Sequence, residues 1–152
     1  MIQPMVLILK QFLLDRGLLT AYTGGLSSHC LFLMITRYLQ EQSVASYVDL
    51  GGLLMGFLDF YGNVFDPRTI GISILNGGQY FRRPNYQNGQ PDTSHFSQPS
   101  LTRRNSFQDQ NERVAGPSSF GLDPLYVEDP ISRGNNVGRN SFRINQVQRA
   151  FR

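Results

Sequence analysis

Apolar residues recur at helical spacing through the first 61 positions, and this pattern constrains the fold more than any other feature of the sequence. It predicts three helices, over residues 4–16, 27–40 and 47–61, with Ser27 or Ser28 capping the second. The first helix is apolar on nearly every side, which is typical of a helix buried in a core. The sequence therefore predicts a mainly α protein.

After residue 61 the spacing of apolar residues changes. Residues 70–75 alternate between apolar and small or polar side chains, Asn76-Gly77-Gly78 is typical of a turn, and residues 79–82 follow as a second strand. A short strand is predicted at 125–127, and a last helix is expected to start near Asn140. Its apolar side chains are Phe142, Ile144, Val147, Ala150 and Phe151. A small β-hairpin and short strands thus accompany the helices.

Residues 84–121 are rich in Ser, Asn, Gln, Pro and Gly and have few aliphatic side chains. Such a segment buries too little apolar surface to offset its conformational entropy, so a long disordered insertion is predicted. The expected organisation is a helical central domain with the hairpin at 1–83, the insertion at 84–121, and a segment at 122–152 that rejoins the first domain. Within the insertion, Ser106 follows two arginines and is a candidate phosphorylation site, although such short motifs are common by chance.

The composition fits a protein of the cell interior. The net charge is +3, and Lys10 is the one lysine among 14 basic residues. Arginine forks suit phosphate groups, but a mildly basic surface is equally compatible with an ordinary solvated face. Cys30 is the single cysteine, so no intrachain disulfide can form, and no apolar run reaches the roughly 18 residues that span a membrane. We expect a protein that is neither secreted nor membrane-bound.

Several groups of neighbouring polar residues do not predict a catalytic or metal site. Ser28, His29 and Cys30 are consecutive, and adjacent helical residues point about 100° apart, so they do not form a catalytic dyad. His29, His95 and Cys30 are too few and wrongly spaced for zinc. Glu128 and Asp129 are neighbours at a strand, which sends them to opposite faces. We therefore assign no catalytic residue and no metal ligand to this chain.

The turn at residues 23–28 is a better candidate. Gly24 and Gly25 allow close approach of a ligand, and the helix start after them offers free N–H groups to an anion. The lysine-containing phosphate-loop motif is absent, and an ordinary helix-capping turn is the alternative. Lys10 either extends to solvent from its apolar helix or points at a bound triphosphate.

Five segments taken together, in this order and spacing, resemble the central, PAP-associated domain of the TRAMP-type poly(A) RNA polymerases, in the superfamily of DNA polymerase beta-like nucleotidyltransferases. They are Lys10–Leu14, Thr23–Ser28, Tyr61-Gly62 with Phe65-Asp66, Gly77-Gly78, and Glu128–Arg139. The resemblance covers nearly the whole chain outside 84–121.

The resemblance implies template-independent addition of adenylates to RNA 3′ ends, for RNA processing, surveillance or decay. It implies ATP as substrate and Mg²⁺ or Mn²⁺ in the full enzyme. The residues implied to bind the nucleotide are Lys10, Gly24, Gly25, Ser27, Ser28, His29, Asp129, Asn135, Asn136 and Arg139. Lys10 and Ser28 match triphosphate contacts, and the loop from Asp129 to Arg139 matches the part that reads the base. Asn135 stands where uridine-preferring relatives often carry histidine, and His29 stands where a base-stacking tyrosine is expected.

The resemblance also implies partners and a location. The partners are an RNA 3′ end, a nucleoside triphosphate, a zinc-knuckle RNA-binding protein and an RNA helicase. The location is the nucleus, in nucleoplasm or nucleolus, with the cytoplasm as the alternative.

One departure concerns catalysis. The family's catalytic lobe carries an Asp-x-Asp pair that holds two metal ions, and no Asp-x-Asp occurs in this sequence. We expect the catalytic lobe to be missing from this chain and the chain alone to be inactive, whether it is a fragment, a truncated gene model or one lobe of a split enzyme. The alternatives are a non-catalytic module that binds RNA, nucleotide or protein, and a helical domain with no nucleotide role.

Overall fold

A computed structural model describes residues 2–43, 49–83, 123–132 and 134–152. Within these ranges the chain forms four α-helices and one three-stranded sheet, which confirms the mainly α fold class with small β elements. The predicted insertion at 84–121, with Ser106, and the predicted helix start at Tyr47 lie outside the described residues. Among the described helices, none is both long and apolar enough to cross a membrane.

Helix α1, Ile2–Leu14, presents one buried face. Met5, Leu9 and Leu13 are four residues apart, and each is at most 1% exposed. Large apolar side chains on its other side are exposed, namely Leu7, Ile8 and Leu14. The prediction of a helix buried all round is therefore wrong for the described residues, because they cover only one side of it.

Helix α2, Ser28–Glu41, is the centre of the core. Ser27 caps it, since the Ser27 hydroxyl accepts the N–H of Cys30 at 3.0 Å, and one of the two predicted caps is thus confirmed. Helix α1, the first strand and the last strand all contact α2. The buried apolar side chains of α2 are Cys30, Leu31, Leu33, Met34, Ile35, Tyr38 and Leu39.

Helix α3, Leu50–Asp59, begins at Asp49, whose carboxylate accepts the N–H of Gly52 at 2.9 Å. It runs directly into a π-helical segment, Phe60–Val64. Wider turns of this kind leave carbonyls without their usual partners. The Gln148 side chain donates to the carbonyl of Tyr61 in this segment at 3.0 Å and to the carbonyl of Phe65, directly after it, at 2.8 Å.

The predicted hairpin is present. Strand β1, Ile70–Ser73, pairs antiparallel with β2, Gln79–Arg82, across a short 3₁₀ turn at Leu75–Gly77. Strand β3, Tyr126–Val127, pairs parallel with β1 on the other side, giving the order β2-β1-β3. This parallel pairing brings the segment after residue 122 back onto the first part of the chain.

Helix α4, Ile144–Phe151, starts later than the predicted position near Asn140. Phe142 is 65% exposed instead of buried, and it lies before the helix. Tertiary hydrogen bonds explain why α4 begins at Ile144 and not near Asn140. The N–H of Arg143 donates to the carbonyl of Gly24 at 2.8 Å, and buried Ser141 bonds the Cys30 thiol.

Candidate functional site

The glycine turn before α2 is packed from inside the chain. Gly24 has φ of 84° and lies under the Phe142 ring, so a Cβ at Gly24 would overlap that ring. The N–H of Gly24 donates to the Ala21 carbonyl at 3.0 Å, and the N–H of Gly25 donates to Thr20 at 2.9 Å. Both glycines are buried. They shape the turn, and their amides are not available to an anion.

Free backbone donors lie one step later, at the first turn of α2. The N–H groups of Ser28 and His29 have no hydrogen-bond partner among the described residues, whereas Cys30 and Leu31 both donate to Ser27. The side chains of Ser28 and His29 are exposed. Two free N–H groups at the positive end of a 14-residue helix favour a negatively charged ligand.

A closed loop follows β3. Asn135 donates from Nδ2 to Oδ2 of Asp129 at 2.8 Å, and the Asp129 N–H donates to the Asn135 carbonyl at 3.1 Å. The other carboxylate oxygen, Oδ1 of Asp129, accepts the N–H of Ile131 at 3.0 Å. The Asn135 side chain is exposed. The loop therefore fixes the orientation of the Asn135 side-chain amide while leaving that amide accessible to solvent.

The buried side chain of Asn136 joins the loop to the strand before it. Its Oδ1 accepts the N–H groups of Val127 and Gly138, both at 2.9 Å. Its Nδ2 donates to the Leu125 carbonyl and to Oδ2 of Asp123, also at 2.9 Å. Asn136 is only 5% exposed. Its amide is fully engaged inside the chain, so it positions the loop and has no free group for a ligand.

The segment that carries the loop is joined to α2. The hydrogen bond from Asn135 lowers the pKa of Asp129 most, followed by the N–H of Ile131, with smaller contributions from Ser132 and from the charge of His29. Helix α2 contacts strand β3, from which the loop leads, and Ser141, just after the loop, bonds Cys30 in the first turn of α2. The segment that carries the loop is thus fastened to the start of α2.

Two other residues of the predicted set are less closely tied to this site. Lys10 is half-buried on α1, and no hydrogen bond or ion pair joins its ammonium group to another described residue. Arg139 is exposed, and its backbone N–H donates to the Asn136 carbonyl at 3.4 Å. Both side chains remain available to a ligand.

Sequence patterns did not single out the residues that fasten the turn to the end of the chain. Arg143 donates its N–H to Gly24, and its guanidinium donates to the Gly17 carbonyl at 3.0 Å. Burial raises the pKa of the Cys30 thiol to about 12, and the Ser141 hydrogen bond lowers it less. The thiol is therefore protonated near neutral pH and unsuited to act as a nucleophile.

Across residues 2–43, 49–83, 123–132 and 134–152, no group of three or more His, Cys, Asp or Glu side chains is placed to hold a metal ion. These residues therefore offer no all-protein cluster of carboxylates that would hold Mg²⁺ or Mn²⁺ by itself.

The fold of this chain is similar to that of a solved structure of the polymerase core of TRAMP, an RNA surveillance complex. The match has a TM-score of 0.67 and 25% identity, and it covers 99% of this chain and 40% of that chain. The fold is thus that of a PAP-associated domain. The model of the Cid1 family poly A polymerases matches residues 49–135, and the chain belongs to this family.

Curated proteins similar to this chain are also named as poly(A) RNA polymerases. The poly(A) RNA polymerase CID14 of Cryptococcus neoformans is 31% identical over 96% of this chain, and gld-4 of Caenorhabditis elegans is 31% identical over 99%. The inactive non-canonical poly(A) RNA polymerase protein Trf4-2 of Drosophila melanogaster is 29% identical over 97%. The chain spans 16%, 16% and 31% of these three relatives.

Proposed function

We propose that this chain is the nucleotide-binding part of a poly(A) RNA polymerase that adds adenylates to RNA 3′ ends. The observation that carries the proposal is the pair of free N–H groups at Ser28 and His29 at the α2 start, together with the exposed Asn135 amide that Asp129 orients. Membership of the poly(A) polymerase family supports the same reading.

In this proposal the start of α2 binds the triphosphate of ATP, and His29 and Asn135 bind the adenine base. The free N–H groups and the hydroxyl of Ser28 bind triphosphate oxygens, and the ammonium of Lys10 adds positive charge. The His29 ring stacks on the base. Because Asp129 occupies one N–H of the Asn135 amide, the other N–H and Oδ1 remain for N1 and the 6-amino group of adenine.

The chemistry of nucleotide transfer belongs, on this proposal, to carboxylates outside the described residues. Those carboxylates would hold a divalent metal, which would supply electrostatic stabilisation of the transferring phosphoryl group. This chain binds and orients the nucleotide, and we expect it to add no nucleotides to RNA by itself.

The proposal extends to the setting of the enzyme. One solved structural neighbour is the polymerase core of an RNA surveillance complex, which supports a TRAMP-like assembly in the nucleus. The partners are then an RNA 3′ end, a zinc-knuckle RNA-binding protein and an RNA helicase. Co-purification of the tagged chain with such proteins from a nuclear extract, absent from a cytoplasmic extract, tests this part.

Nucleotide titration tests the site directly. Calorimetry with ATP and UTP should show binding with preference for ATP. His29→Ala removes the stacking ring and should weaken ATP binding by about 5- to 100-fold. Asn140→Ala, an exposed asparagine outside the loop, is the matched control. Absence of ATP binding by the folded wild-type chain would overturn the proposal.

A second candidate is a non-catalytic module derived from this family. The Drosophila relative whose name describes it as inactive favours it. The two candidates differ in what a catalytic lobe supplied in trans does. Restored RNA tailing supports the polymerase, whereas ATP binding without any tailing supports the non-catalytic module.

A further inference from the structure

Two aromatic side chains at the glycine turn face solvent. Tyr22 is 95% exposed and Phe142 is 65% exposed. Tyr22 lies in the 3₁₀ turn Ala21–Thr23, and the Phe142 ring lies on Gly24, which directly follows that turn. Both aromatic residues therefore border the glycine turn, although they come from opposite ends of the chain.

Phe142 is held in its exposed position. Its neighbours on both sides are bonded to the body of the domain, Ser141 to the Cys30 thiol and Arg143 to the Gly24 carbonyl at 2.8 Å. An exposed phenylalanine contributes little to folding by burial, so this fixed geometry gives the ring a defined place on the surface.

Three arginines belong to the segments on either side of this turn, Arg16 before it and Arg139 and Arg143 around Phe142. The Arg143 guanidinium donates to the Gly17 carbonyl at 3.0 Å, and Arg16 precedes Gly17 with its guanidinium 3.7 Å from the centre of the Phe12 ring. Arg139 is exposed three positions before Phe142. The adjacent carboxylate, Asp15, accepts from Gln11 at 2.7 Å and offsets only part of this positive charge.

We propose that this turn patch, formed by Arg16, Tyr22, Arg139, Phe142 and Arg143, binds single-stranded RNA. Unpaired bases stack on Tyr22 and Phe142, and the guanidinium groups contact the phosphates. Aromatic rings interleaved with arginine fit this ligand better than an apolar protein segment, which would leave the guanidinium groups facing an apolar surface.

The inference rests on the proposed function and adds the RNA subsite to it. The turn that carries Tyr22 leads within a few residues to Ser28 and His29, the proposed triphosphate and base contacts. An RNA strand on the patch therefore brings its 3′ end towards the nucleotide.

Fluorescence anisotropy with a labelled single-stranded adenylate oligomer tests the patch in the full chain. Tyr22→Ala and Phe142→Leu should each weaken RNA binding about 5- to 100-fold, because each removes one stacking ring. Leucine at 142 keeps an apolar cover over Gly24. Met55→Ala, at an exposed apolar position on α3, is the control and should change nothing. A duplex of the same length should bind weakly.

ATP titration of the same variants separates this inference from the proposed function. Both aromatic variants should bind ATP within about twofold of the wild type, since neither residue contacts the nucleotide in the proposal. Wild-type RNA affinity that both variants retain would overturn the stacking patch, even with ATP binding intact. The stacking patch would also be overturned if Arg16→Gln and Arg139→Gln weakened RNA binding while Tyr22→Ala and Phe142→Leu left it unchanged. Capture of an apolar peptide in place of RNA would assign the patch to a protein partner and overturn it as well.

Discussion

Asn135 donates a 2.8 Å hydrogen bond to the carboxylate of Asp129, and this contact closes the loop that follows β3. The same carboxylate accepts the Ile131 N–H, so one acidic side chain organises both halves of the loop. Strand β3, from which the loop leads, contacts helix α2. The candidate site therefore depends on a loop that is stabilised by its own polar side chains.

Replacing Asn135 with alanine should weaken ATP binding without unfolding the chain. The side chain is exposed, so the lost hydrogen bond should lower the free energy of unfolding by only about 1 kcal/mol or less. Calorimetric titration with ATP and urea denaturation measure the two effects. Unchanged ATP affinity in a folded Asn135→Ala protein would remove Asn135 from the site.

Acid should loosen the loop. The Asn135 hydrogen bond and the Ile131 N–H hold the pKa of Asp129 below its ordinary value of 3.8. A lowered folded pKa gives a stabilisation that is fully present above pH 3.8 and is lost as the pH falls through the folded value. Carboxyl and amide NMR signals of Asp129 and Asn135 should report this titration. An Asp129 pKa at or above 3.8 contradicts it.

Asn136→Ala should destabilise the fold strongly, by about 3 kcal/mol, in contrast to the change at Asn135. The buried N–H groups of Val127 and Gly138 and the carbonyl of Leu125 lose their partner together. Urea denaturation of the Asn136→Ala and Asn135→Ala proteins compares two adjacent asparagines directly. Equal stability of the two variants would be inconsistent with the buried network.

Gly24→Ala should cost more stability than the same change at Gly77. Both glycines have positive φ, 84° and 88°, so both variants carry the cost of about 1 kcal/mol for a left-handed alanine. A Cβ at Gly24 also overlaps the Phe142 ring, whereas a Cβ at Gly77 meets nothing within 4 Å. We expect an additional loss of about 1–3 kcal/mol at Gly24, measured as the difference in thermal midpoints and unfolding free energies. Identical losses would mean that the ring moves aside at no cost.

Cys30 should resist modification in the native protein. Burial raises its pKa to about 12, so the reactive thiolate is scarce at pH 8, and the side chain is fully buried. Labelling with iodoacetamide, followed by mass spectrometry, should be slow in buffer and rapid in urea. Rapid labelling of the folded chain would show that the α2 start opens.

Local sequence determined the elements of this protein. Ser27 caps α2 because a serine hydroxyl reaches the N–H three residues later, and the alternation of residues 70–75 before two glycines produces the hairpin. Resemblance in motif order also identified the family and pointed to His29, Asp129 and Asn135. These signals are readable because each depends on spacing within a few residues.

Tertiary structure decided how these elements are used. Arg143 reaches Gly17 and Gly24 across more than a hundred residues, which delays α4 and exposes Phe142. Asn136 and Asn135 are adjacent in sequence, yet one is buried under the loop and the other is presented to solvent. The one-sided burial of α1 has the same origin, because which face is covered depends on neighbours that pack only after the chain has folded. Side-chain spacing specifies a helix or a turn, whereas burial and polar pairing depend on contacts between distant segments.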